Sequence, residues 1–196
     1  RRLGIARDTR ESLRAAFAAA EGCDVLLTIG GVSVGDFDYV KDVLAELGAE
    51  EDFWRVAMRP GKPNAHGRLG DMPYFGLPGN PVSCMVSFLQ YVRPALLAMQ
   101  GRTDRFLRTV DAVLDHDLRS RRRFLFFSRG VVRWSHDDAR WTVRTTGPQG
   151  SGILRSMAEA NCLIVVPEDR GSVTAGETVR VQMLPNSSGR IDAGLR

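Results

Sequence analysis

The sequence predicts an α/β domain with a mainly parallel sheet followed by a small β-rich domain, a barrel or a sandwich. Three observations carry this. Up to about Gly101, short apolar runs that read as strands alternate with segments of helical period. Two glycine-rich turns, Thr28 to Asp38 and Phe75 to Ser83, each follow a strand-like run and precede a helical pattern. After Gly101 the strand-like runs succeed one another, separated by turn residues.

Taken in order, residues 9–21 read as a helix with Leu13, Ala16, Phe17 and Ala20 on one face. Asp8 can cap it, and Glu11 completes a capping box. Asp24 to Ile29 is a strand. Residues 38–47 form a second helix through Val40, Val43, Leu44 and Leu47, which Gly48 stops. Strands are expected at Phe53 to Met58 and at Tyr74 to Leu77. Pro81 suits the first turn of a helix running towards Gln100, which Pro94 should kink or split. Five strands follow, at 106–114, 123–134, 140–146, 162–166 and 178–184, with a helical turn or two between Gly150 and Ala160. The expected division is residues 1–101, residues 102–185, and a loose polar tail over 186–196.

Composition narrows the function classes. With 43% apolar residues the 196-residue chain can bury a core. No uninterrupted apolar run reaches the roughly 18–20 residues of a membrane span, and no signal-peptide pattern opens the chain. The net charge of +4 admits an anionic ligand. No long basic run with interleaved aromatics points to nucleic acid. Cys23, Cys84 and Cys162 lack zinc-site spacing and fit a reducing, cytoplasmic setting.

The two turns carry the chemistry. A glycine-rich turn between a strand end and a helix start exposes backbone N–H groups where the helix dipole favours negative charge. Two of them suggest a ligand with more than one anionic group. Neither is a Walker A loop or a G-x-G-x-x-G turn. Asp38 follows the first turn at a helix start. Its plainer role is an N-cap, but a carboxylate beside an anion loop also favours an intervening Mg²⁺. Asp8 is a second candidate ligand with the same alternative role. Arg55, Arg59 and Lys62 would form an oxyanion pocket, with the two arginines on one strand face. Against this stands a solvated basic edge. Lys62 is one of two lysines among 27 basic residues, which hints that an ammonium is needed there.

Four stretches then combine. Gly-Gly-Val-Ser-Val-Gly-x-x-Asp, Phe-Trp-Arg-Val-Ala-Met-Arg-Pro-Gly-Lys-Pro, Gly-Leu-Pro-Gly-Asn-Pro-Val-Ser and Thr-Thr-Gly-Pro-Gln-Gly-Ser stand in this order. Together they resemble the molybdopterin molybdenumtransferase family, which includes the gephyrin E domain. The likeness runs from about Ile5 to Met183 and corresponds to the family's C-terminal half, which implies a molybdopterin-binding α/β domain incomplete at its N-terminus followed by a small β-barrel domain. It implies insertion of molybdenum from molybdate into adenylylated molybdopterin, with Mg²⁺-dependent release of AMP. It implies Asp8 and Asp38 at the metal, with Asp8, Asp38 and Lys62 catalytic. Gly30, Gly31, Ser33, Gly35, Pro78, Gly79, Asn80, Pro81 and Ser83 would hold the pterin substrate. Arg55, Arg59, Lys62, Arg129 and Ser151 would hold molybdate, although members often carry Lys where Arg55 and Arg59 stand. A homodimer through upstream domains, contact with the molybdopterin adenylyltransferase, and inactivity of this half alone are further expectations. The competing readings are the adenylyltransferase itself, which lacks the β-rich half, and a non-catalytic scaffold of gephyrin type.

Overall fold

The computed structural model describes residues 1–32 and 39–185. By internal contacts the chain divides into two units, Arg1–Val56 with Gly61–Phe88, and Ala57–Pro60 with Leu89 onward.

The first unit holds α1 (Arg10–Ala18), β1 (Leu26–Ile29), α2 (Val40–Glu46), β2 (Glu50–Phe53), β4 (Ala65–Leu69), β5 (Met72–Leu77) and α3 (Pro81–Ser87), while β3 (Met58–Arg59) belongs to the second. The cap of α1 is Thr9 rather than Asp8. Its Oγ1 accepts the Ser12 N–H at 3.3 Å, and Ser12 Oγ in turn accepts the Arg7 N–H at 2.9 Å. Leu13, Phe17 and Ala20 of the expected face are buried with Leu26, Val40, Val43 and Leu44. Leu47 ends α2 exposed instead of joining them.

The sheet runs β1-β5-β4-β2, and only β1 and β5 are parallel; the β5–β4 and β4–β2 pairs are antiparallel. This corrects the expectation of a mainly parallel sheet for the described strands. The unforeseen strand is β4, Ala-His-Gly-Arg-Leu, whose alternation of Ala65, Gly67 and Leu69 with His66 and Arg68 is weak because two of its inward residues are small. It forms because Gly70-Asp71 closes a two-residue hairpin, with Leu69 opposite Met72 and Gly70 at φ +59°. The single strand expected over Phe53 to Met58 is two: β2 pairs with β4, whereas β3 pairs with a strand of the second unit.

Pro81 opens α3, and the helical run continues to Met99 through a π-helical stretch, Phe88–Val92, into α4 (Arg93–Met99). Pro94 neither breaks nor ends it. The wider π turns lie where the proline removes a backbone donor and crowds the preceding carbonyl. This run of 19 residues is long and apolar enough to cross a membrane by length and composition alone, a property that core helices of soluble folds share.

The second unit holds β6 (Thr109–Leu114), β7 (Leu118–Arg119), β8 (Leu125–Ser135), β9 (Arg140–Thr145), α5 (Leu154–Ala158), β10 (Cys162–Val166), β11 (Ser172–Val173) and β12 (Thr178–Met183). All five expected strands are present, and they close a ring, β10-β12-β6-β9-β8 and back to β10, with β3 added along β8. Closure leaves these strands no free edge within the ring. Leu114, Val132, Val143, Ile164, Val166 and Val181 fill its interior.

Candidate functional site

In the first unit the two glycine-rich turns meet. β1 and β5 are parallel with Ile29 opposite Leu77, so both turns leave the sheet at the same end. Their contact is backbone to backbone. The Gly30 N–H donates to the Leu77 carbonyl at 2.9 Å, and a Cβ on Gly79 would lie 3.7 Å from the Gly30 Cα. Gly30 and Gly31 sit at φ +84° and +71°, where glycine is favoured. Gly76 is forced too, since a Cβ there would stand 2.6 Å from Val32 Cγ1. Such an arrangement at carboxyl ends of parallel strands is where open α/β sheets bind ligands.

Pro78 is buried, while Gly79 and Asn80 are exposed. Asn80 stands at the N-cap of α3 yet makes no side-chain cap bond, which leaves its amide for a ligand. Pro81 occupies the first turn and Ser83 is buried within it. Two further polar side chains escaped the sequence reading. The Thr28 hydroxyl is buried without a partner. Asn64 is buried, donates through Nδ2 to the Gly61 carbonyl, and keeps an unpartnered Oδ1.

The basic positions do not form the shared face that was expected. Arg55 lies in the irregular segment after β2, exposed, and Arg59 lies on β3 in the other unit. The Arg59 guanidinium stacks on Phe124 with 4.7 Å from Cζ to the ring centre, and its buried Nε has no hydrogen-bond partner. Lys62 is exposed, and its carbonyl accepts the Val56 N–H at 3.0 Å.

Asp8 is exposed. Ser33, Gly35 and Asp38 lie outside the described residues, and with them one member of the expected Asp8–Asp38 pair. Among the described residues no three His, Cys, Asp or Glu side chains cluster.

In the second unit the outstanding group is Arg129, a fully buried side chain on β8. Phe126 and Val132 of β8 pack in the barrel interior, so strand alternation sets Arg129 on the outer face. There the loop after β9 covers it. Its Nε donates to Ser156 Oγ at 3.1 Å and its Nη2 to the Gly150 carbonyl at 3.1 Å, while Nη1 has no partner. None of its hydrogen bonds goes to a carboxylate. Burial pushes its pKa down to about 10. A buried cation without a counter-charge is the feature an anion would satisfy. Ser151 follows Gly150 in the same loop and is half-buried.

Two family models match the chain. One, described as a probable molybdopterin binding domain, covers residues 1–98. The other, the MoeA C-terminal region (domain IV), covers residues 111–184. The chain belongs to the MoeA family. A molybdopterin molybdenumtransferase of Haemophilus influenzae is 37% identical over 182 residues, 92% of this chain and 45% of that protein. One of Bacillus subtilis is 33% identical over 185 residues, 94% of this chain and 43% of the relative. The crystal structure of a MoeA protein of Pyrococcus horikoshii superposes with a TM-score of 0.72 at 31% identity, over 92% of this chain and 42% of that one. The chain thus spans about half the length of these MoeA relatives, and in each of these three matches more than nine-tenths of this chain is covered. The α/β unit followed by a closed barrel agrees with the order of the two matched MoeA regions.

Proposed function

We propose that this chain is the substrate-binding half of a molybdopterin molybdenumtransferase, acting in molybdenum cofactor biosynthesis. In the proposed reaction molybdenum from molybdate enters the dithiolene of adenylylated molybdopterin and AMP leaves. The observation that carries this reading is the backbone contact of the Gly30-Gly31 and Gly79-Asn80 turns at the ends of β1 and β5. A phosphoanhydride needs backbone donors approached closely on more than one side, which glycine permits. Gly30, Gly31, Ser33, Gly35, Pro78, Gly79, Asn80, Pro81 and Ser83 are assigned to that substrate. Lys62 supplies a compact charge for the departing phosphate oxygens, an electrostatic role in which positioning outweighs bond chemistry.

Molybdate is assigned to the basic groups. Arg129 is buried with no carboxylate partner, and Arg59 has a buried unpartnered Nε, so both have unmet capacity for an oxyanion. Arg55 and Ser151 join them by position in the motifs. Asp8 and Asp38 are proposed as the carboxylates for Mg²⁺, a hard cation that takes oxygen ligands. Since Asp38 lies outside the described residues, no step is derived through the metal. The barrel favours this activity over adenylyl transfer, because the stand-alone adenylyltransferase fold lacks such a domain. Homodimerisation, contact with the adenylyltransferase and a cytoplasmic location are proposed alongside; the unpaired Cys23, Cys84 and Cys162 accord with the last.

The test is AMP release from adenylylated molybdopterin on addition of molybdate and Mg²⁺. Lys62→Ala should weaken substrate binding and Lys62→Arg should recover it only in part, because a planar guanidinium cannot place one compact charge in the same spot. Full activity of the arginine variant would refute the role given to the ammonium. Asp38→Asn should abolish release at unchanged melting temperature, since it exchanges a carboxylate for an amide of the same shape.

A further inference from the structure

The bonding around Arg129 distinguishes which of its donors a ligand can use. The main chain is clamped first. Gln149 Oε1 accepts the Arg129 N–H at 2.7 Å, and Gln149 Nε2 donates to the Arg129 carbonyl at 3.2 Å. Thr146 adds its own N–H to the same carbonyl at 3.0 Å. The side chain is clamped second. Ser156 Oγ donates its one proton to the Ile153 carbonyl at 2.6 Å, which turns its lone pairs to Arg129 Nε. Nη2 donates to Gly150, and Nη1 is the nitrogen that has no partner at all.

We propose that Ser156 and Gln149 are positioning residues of an oxyanion site at Arg129. Together they hold the guanidinium so that Nη1 is the donor presented to a compact tetrahedral dianion such as molybdate. Neither residue touches the anion. Each acts through Arg129, by fixing its backbone or its Nε. Without the Ser156 acceptor the Nε–H would be buried unpaired, and the guanidinium would rotate to find another oxygen. The anion would then lose its donor although the charge remains. This rests on the reading of Arg129 as part of the molybdate site.

The experiment titrates sodium molybdate into this chain by calorimetry and records thermal melting in parallel. Ser156→Ala should raise the molybdate Kd roughly tenfold, the scale of a hydrogen bond to a charged group. Ser156→Thr, which keeps the oxygen, should restore most of the affinity. Gln149→Ala should also raise the Kd and serves if Ser156→Ala fails to fold. A purely structural role would lower the melting temperature without moving the Kd of the folded protein, and that result would overturn the proposal. Arg129→Lys separates the two levels. If Arg129→Lys loses molybdate while Ser156→Ala and Gln149→Ala keep it, the positioning roles are wrong and the site stands. If wild type fails to bind molybdate, or Arg129→Lys binds as wild type does, the site itself is wrong and the positioning roles fall with it.

Discussion

At the scale of single residues, the site depends on atoms that are absent as much as on those present. Gly76 lies behind the first turn, where a Cβ would meet Val32 Cγ1 at 2.6 Å and Ala65 Cβ at 3.1 Å. Gly76→Ala should therefore destabilise the fold by about 1–3 kcal/mol, the usual cost of overpacking, and weaken the pterin substrate by displacing Val32 beside Gly31. A urea melt and a substrate titration check this; wild-type values in both would show that the turn yields freely. Arg129 gives a prediction with a sign. Its folded pKa is lowered by burial to about 10, so between that value and the higher one of the unfolded chain the unfolded chain holds a proton that the folded chain has released. Stability rises with pH through that window, and below it the burial penalty is present in full. At neutral pH only a bound anion relieves it. Molybdate should accordingly raise the melting temperature of wild type and leave Arg129→Ala unchanged. Equal shifts in the two would place molybdate elsewhere.

At the scale of elements, β8 is stitched from both sides. Gln149 bonds the backbone of Arg129, and Asn161 bonds both the N–H and the carbonyl of Val132, at 2.8 and 2.9 Å. Between them Gly130 has no room for a side chain, since a Cβ would stand 2.9 Å from Ile164 Cγ1 and 3.1 Å from the Arg144 carbonyl. The turn before β12 has its own brace. Glu177 accepts the Thr174 N–H at 2.7 Å and pairs with Arg170. The Arg170 hydrogen bond, with that N–H, holds the Glu177 carboxyl below its ordinary pKa. A depressed carboxylate pKa means stability that is present above the unfolded value and lost as pH falls through the folded one. Glu177→Gln should lower the melting temperature at neutral pH and make no difference in acid below the carboxylate range. A deficit that persists in acid would assign the effect to geometry rather than charge.

At the scale of the whole molecule, the chain accounts for 45% of the Haemophilus influenzae relative. Each unit has its own apolar core, one under the α/β sheet and one inside the barrel, so the chain should fold without the remainder. At equal concentration its AMP release should nevertheless fall far below that of the longer relative, because the substrates' anionic groups call for more contacts than one half supplies. Comparable rates would show that this half is sufficient. The edge strand β1 bears on the same point. It pairs only with β5 among the described strands, and Leu27 and Ile29 are 39% and 69% exposed. An apolar edge of this kind invites pairing with another chain. Ile29→Lys should reduce any self-association seen by sedimentation, and an unchanged profile would rule out β1 as the contact.

Much of this was legible in residue order alone. Alternating period predicted the five barrel strands, and the spacing of Leu13, Phe17, Val40 and Val43 predicted the helix faces, because burial imposes its period locally. Gly30, Gly31 and Gly79 marked turns after strand ends, and the approach of those turns to one another is the ground on which an anion site is proposed there. Tertiary structure decided the rest. It split Arg55 from Arg59, because β3 pairs with β8 and not with the sheet of β2. It added β4, whose weak alternation of Ala65, Gly67 and Leu69 with polar residues becomes a strand through a two-residue turn. It also buried Arg129. On β8 that arginine faces outward, and only a loop some twenty residues further along, with Gly150 and Ser156, encloses it. Nothing within a strand's own period can specify a cover supplied by distant chain, so the buried charge of Arg129 is a property of the fold.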